Sequence, residues 1–285
     1  MTRKELKELM RQHKASKIWN MIEPKLKPAV YLNLKNAEEG NIAIGQSKVG
    51  GLPDLPKEIE WFEYKGEPMS FLAQINLKEL ADFDLNNSLP KEGILYFFYD
   101  ATQQAQGLSP EDEGASKVFF YKGDMVGLRC CEKPKNLDPD AFFDVCTIDY
   151  LYKINMPNYE SDLLYDVDLD DDEFQFYTEV DALINEEEYL NKILGHADII
   201  QSGMELECEL VRNGLYCGDA TGLKSPKAKA LKRHIDAWHL LLQLDSNDET
   251  ANMLWGQAGR LFFWIREEDL KQQNFEKAWA ILQSY

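Results

Sequence analysis

A chain of 285 residues, 44% apolar and 12% aromatic, has enough material for one large domain or two ordinary ones, each with a substantial core. Its net charge of −19 argues against a general nucleic-acid-binding role, because an acidic surface repels phosphate backbones. With no uncharged apolar run of 18 residues and no apolar leader after Met1-Thr2-Arg3-Lys4, the expectation is a cytoplasmic protein without a membrane partner.

Residues 2–22 carry Leu6, Leu9, Met10, Ile18, Trp19 and Met21 among charged residues, the spacing of an amphipathic helix that Pro24 and Pro28 end. Short strands are predicted at 29–34 and 42–44, and Ser47 to Pro56, with paired glycines and two prolines, reads as an ordered loop. A strand at 69–75 precedes a short helix at 77–80 with Asn76 as N-cap. Residues 94–99 form a strand so continuously apolar that both its faces must be covered. A strand at 117–121 is expected to turn at Gly123-Asp124 into a partner at 125–130, while 136–154 is ambiguous between states. Helices are predicted over 179–193 and 225–237, the second with Ser225 as N-cap and Pro226 in its first position. Strands at 238–244 and 260–265, a helix after Ile265 and an apolar run at 278–282 complete the chain. Connections this short favour antiparallel pairing, so the fold class is α+β.

The chain also repeats itself. Ser70-Phe-Leu-Ala-Gln-Ile-Asn76 is echoed by His239-Leu-Leu-Leu-Gln-Leu-Asp245, and Gly93-Ile-Leu-Tyr-Phe-Phe-Tyr99 by Gly259-Arg-Leu-Phe-Phe-Trp-Ile265. A fainter echo sets Val49-Gly-Gly-Leu-Pro-Asp54 beside Ile193-Leu-Gly-His-Ala-Asp198. A single domain over 1–285 is therefore predicted, built by internal duplication of units near 41–135 and 191–285. Together with Ser47 to Pro56, Met253 to Arg266 and the closing Trp279-Ala-Ile-Leu-Gln-Ser-Tyr285, these motifs resemble the YwqG-like family, a bacterial domain family of unknown function. The resemblance covers the chain from about residue 30 onward. It implies a duplicated α+β fold and an intracellular protein, and carries over no catalytic residue.

Chemistry-bearing motifs fail their own tests. Asp166-Val-Asp168-Leu-Asp170 begins like an EF-hand loop but offers Asp171 and Tyr177 where glycine and glutamate are required. His234 and His239 are off helical same-face spacing, so no metal centre and no cofactor is expected. The five cysteines read as reduced thiols, and although Cys208 or Cys217 with His196 or His239 could in principle make a nucleophile and base, nothing in the spacing favours a pair and an inert packed thiol is expected there.

Two surfaces are left. From Glu160 to Glu188 there are 13 acidic residues and no basic one, and Asp166, Asp168, Asp170, Asp171 and Asp172 make an acidic face suited to a basic protein partner, such as a toxin or effector to be neutralised. The alternative is a small-molecule or hydrolytic site in a cleft between the repeats, built from Asp54, Gln74, Gln243, Trp255 and Arg260.

Overall fold

The computed structural model describes residues 1–83 and 85–285. Its strands in chain order are β1 (Lys27–Asn36), β2 (Lys48–Val49), β3 (Asp54–Pro56), β4 (Glu63–Tyr64), β5 (Glu67–Pro68), β6 (Ser70–Asn76), β7 (Ile94–Tyr99) and β8 (Ser116–Tyr121). They continue as β9 (Leu128–Cys130), β10 (Cys146–Asn155), β11 (Lys192–Leu194), β12 (Trp238–Asp245), β13 (Arg260–Arg266) and β14 (Trp279–Gln283). The helices are α1 (Arg3–Gln12), α2 (Ser16–Ile22), α3 (Asp171–Ile184), α4 (Glu205–Arg212), α5 (Ala220–Leu223), α6 (Pro226–Leu231), α7 (Asp248–Ala251) and α8 (Glu267–Gln272). An α+β fold results.

Ten strands form one sheet in the order β14-β13-β12-β11-β1-β10-β2-β6-β7-β8, and the two short pairs β3-β9 and β4-β5 lie apart from it. Every pairing is antiparallel. The sheet curls until its ends approach. Phe97 of β7 meets Phe263 of β13 edge to face at 5.2 Å, Phe120 of β8 meets Phe275 at 4.9 Å, and the Leu282 amide donates to the Gln106 carbonyl at 3.1 Å.

Alternation along the strands divides the packing. On β7, Leu95, Phe97 and Tyr99 enter the core enclosed by the curled sheet, while Ile94, Tyr96 and Phe98 pack outward under Leu55, Met69 and Leu128. On the other half, Leu261, Phe263 and Ile265 point into that same enclosed core and Phe262 and Trp264 pack outward against α4 and α6. The double coverage expected of residues 94–99 is thus met, by one shared core and two separate covers.

Several elements differ from the sequence reading. The N-terminal helix is two helices, because Lys14 adopts a left-handed conformation (φ 56) and the Ala15 amide bonds the Met10 carbonyl, the six-to-one bond of a Schellman end made here without glycine. Residues 42–44 are loop; the strand falls at Lys48–Val49, inside the segment expected to be irregular. Leu128–Cys130 pairs with Asp54–Pro56 instead of returning along β8, since Met125–Gly127 makes a 3₁₀ turn that redirects the chain. The ambiguous stretch ends in β10, which pairs with all ten residues of β1 at the middle of the sheet. The helix placed at 179–193 begins at Asp171, where Asp170 and Glu173 form a capping box and acidic side chains fill the first turn, the favourable end of the helix dipole. The Ser225 cap holds as expected, although α6 tightens into a 3₁₀ helix from Lys232.

Candidate functional site

Gln74 and Gln243 sit at equivalent places and are both fully buried. On β6, Gln74 lies opposite Lys48 of β2; on β12, Gln243 lies opposite Lys192 of β11. Each strand carries a register shift just before its glutamine, at Phe71/Ala73 and at Leu240/Leu242. The amide of Gln74 accepts from the Asp54 backbone N–H at 2.8 Å and donates to the Gln46 carbonyl and to Asp54 Oδ2, both at 2.7 Å. Gln243 accepts from the Asp198 N–H at 2.9 Å and donates to the Leu190 carbonyl at 2.5 Å and Asp198 Oδ2 at 2.6 Å. Lysine completes each cluster, with Lys48 Nζ 3.4 Å from Asp54 Oδ1 and Lys192 Nζ 2.6 Å from Asp198 Oδ2.

Between lysine and aspartate the backbone turns in the same way. Gly50 and Gly51 have φ 67 and 69, and Leu194 and Gly195 have φ 59 and 80. At Gly50 a Cβ would stand 2.2 Å from the Asp144 carbonyl oxygen, so glycine is required there. The clusters differ in their second partners. Lys48 also reaches Glu39 at 2.5 Å, whereas Lys192 lies 5.1 Å over the Tyr31 ring. The Asp54 carbonyl accepts from the Tyr96 hydroxyl at 2.5 Å, and the Asp198 carbonyl accepts instead from Arg260 Nη1 at 3.0 Å.

These positions do not make the cleft expected of Asp54, Gln74, Gln243, Trp255 and Arg260. β6 and β12 are five strand intervals apart, about 24 Å along the sheet. Gln74 faces the outer cover with its cross-strand neighbour Tyr96, and Gln243 faces the other cover with Phe262. Both N–H groups and the carbonyl of each amide are occupied by protein, so what the two glutamines do is pin a loop to the sheet. Trp255 is fully buried, edge-on to Tyr99 and Phe143, and Arg260 Nε is paired with Asp245 at 3.0 Å. A buried amide has to be satisfied, and here neighbouring backbone groups and one aspartate carboxylate do it.

Of the free thiols Cys130 is exposed, and the others are packed away. Cys146, Cys208 and Cys217 are buried, and burial pushes the Cys146 thiol up to about 11 and Cys217 to about 12, away from the reactive thiolate. His196 is buried against the Lys25 carbonyl at 2.7 Å, with its pKa lowered by burial and by Lys27. Among the described residues no group of three or more His, Cys, Asp and Glu is arranged to hold a metal ion, and no helix is long and apolar enough to cross a membrane.

At the surface, Asp166, Asp168, Asp170, Asp171 and Asp172 are all exposed at the start of α3. Tyr165, 62% exposed, and Phe174, 41% exposed, stand among them. Lys232 Nζ already lies 4.9 Å over the Tyr165 ring. A separate cavity of about 480 Å³ opens where β1 and β12 begin, with Lys27 and His239 on its wall. Sequence reasoning passed over Lys27, because a lysine next to a proline carries no signal until its surroundings are known.

No curated protein matches the chain at a significant level. Residues 47–284 match a domain of unknown function, DUF1963, and the chain belongs to that family.

Proposed function

We propose that this protein is a binding protein that presents the acidic end of α3 to a basic protein partner, with a basic toxin or effector as the partner class. The observation that carries the reading is the exposure of five aspartates around two accessible aromatic rings. Carboxylates would attract Lys and Arg at long range, and a docked cation would find an aromatic face of the kind Lys232 uses on Tyr165. Salt would weaken such an encounter strongly.

Neutralising Asp166, Asp168, Asp171 and Asp172 to Asn, with the Asp170 cap kept, should leave thermal stability within a few degrees of wild type. Recovery of a basic partner in co-purification at low salt should fall at least tenfold. Equal recovery by both proteins, or recovery insensitive to salt, would remove this surface from the reading.

We also propose that residues 41–135 and 191–285 descend from one duplicated unit. In support stand the paired Lys–Asp–Gln clusters, with the same register and the same two left-handed residues at corresponding positions. The 144-residue offset between Asp54 and Asp198 and the 169-residue offset between the glutamines differ because α4, α5 and α6 lie between β11 and β12.

A further inference from the structure

We propose that the cavity walled by Lys27 and His239 is a binding site for a small carboxylate with an apolar body. The fully buried lysines of this fold have a carboxylate at hand: Lys48 has Glu39 at 2.5 Å, Lys153 has Glu187 at 2.5 Å and Lys192 has Asp198 at 2.6 Å, whereas Lys27 is half-buried. Lys27 has none within 4.0 Å among the described residues, in a chain of net charge −19. Among the described residues its side chain has one hydrogen-bonding partner, the imidazole, with Nζ 3.3 Å from His239 Nδ1. A desolvated ammonium lacking a counter-ion is costly, and an anion arriving in the cavity would remove that cost.

The imidazole extends the site. An ammonium has only hydrogens to give, so Nδ1 accepts and the ring hydrogen resides on Nε2. Burial first, and the Lys27 charge second, push His239 down to about 4, which keeps the ring neutral. Burial lowers Lys27 as well, against the more distant pull of Glu205, Asp236 and Glu267 and alongside the push of Lys25. Also on the wall, Lys271 is bound to Glu267 at 2.6 Å and cancels its charge. One positive charge is therefore left over, which matches a monoanion better than a phosphate dianion. Pro28, Leu89, Leu194, Leu240 and Leu270 give the cavity an apolar lining for the rest of the ligand. Its volume of about 480 Å³ suits a small organic molecule.

The test uses the full chain and four probes of equal length: octanoate, octan-1-ol, octylammonium and octyl phosphate. Binding is followed at pH 7 by the His239 ring resonances. Octanoate should shift them saturably and bind at least tenfold more tightly than octanol, with octylammonium not binding. Lys27→Met should lower octanoate affinity at least tenfold without loss of thermal stability. Octanol binding as well as octanoate, no saturable change at His239, or a tenfold preference for octyl phosphate would each overturn the assignment. The wild-type comparison decides the matter even if the variant fails to fold. Neutralising the α3 aspartates should leave octanoate binding unchanged, so this site and the acidic face stand or fall separately.

Discussion

Asp198→Ala is expected to destabilise the protein by about 3–5 kcal/mol in chemical denaturation, the usual cost of leaving one member of a buried ion pair behind. Lys192 would lose the carboxylate 2.6 Å away, and no other stands within 4.0 Å of it among the described residues. One N–H of Gln243 would lose its acceptor too. Asp54→Ala in the matching cluster should cost less, because Lys48 keeps Glu39 at 2.5 Å. The ranking is the sharper part of the expectation. Equal losses, or a larger loss at Asp54, would mean that the second carboxylate does not share the burden.

Asp181→Asn should do the opposite and stabilise the protein in alkaline solution. Asp181, on α3, has its carboxyl pushed up to about 7 from 3.8, by burial first and by the Asp198 charge second, with Lys192 pulling it down. A carboxyl that holds its proton more tightly when folded makes no demand below pH 4. Between pH 4 and 7 the native state loses stability as pH rises, and the penalty is complete above 7. Asparagine cannot ionise and keeps an oxygen for the Asn185 side-chain N–H, which now donates to Asp181 Oδ1 at 3.1 Å. The variant should match wild type near pH 3.5 and exceed it by about 4 kcal/mol at pH 8, the linkage value of the shift. His239 has the reverse sign, since a histidine pushed down to about 4 loses stability for the fold as pH falls below 6.5. It is present in both proteins and cancels in their difference. Urea titrations at the two pH values would test this, and a difference that does not change with pH would refute it.

These two residues also show where sequence reading stops. Asp198 was visible only as the last letter of a weak echo, and Asp181 as one of 13 acids in a run. Their weight comes from Lys192, a residue no motif singled out, which lies fully buried between them and Tyr31. The glutamines were conspicuous, since an amide inside an apolar strand has to be explained. Alternation could not say which face of the sheet they take or what covers it, and on the outer faces they fasten loops and line no cleft. Missed elements have the same origin. β2 and β11 are short and contain lysine, so no hydrophobic period reveals them, and each lies between two longer strands that are far from it in the chain or separated by loops.

Local pattern alone determined the strands Ile94–Tyr99 and Arg260–Arg266, the Ser225 and Asn76 caps, and the antiparallel α+β class, because each depends on residues close together in the chain. Tertiary structure decided everything that depends on burial: one curled ten-stranded sheet, two separate outer covers, and a lysine at residue 27 on a cavity wall with no carboxylate within 4.0 Å among the described residues. The physical reason is that the cost of a buried charge or amide is set by what surrounds it. Those surroundings are assembled from segments as far apart as Lys27 and His239, which no window along the chain brings together.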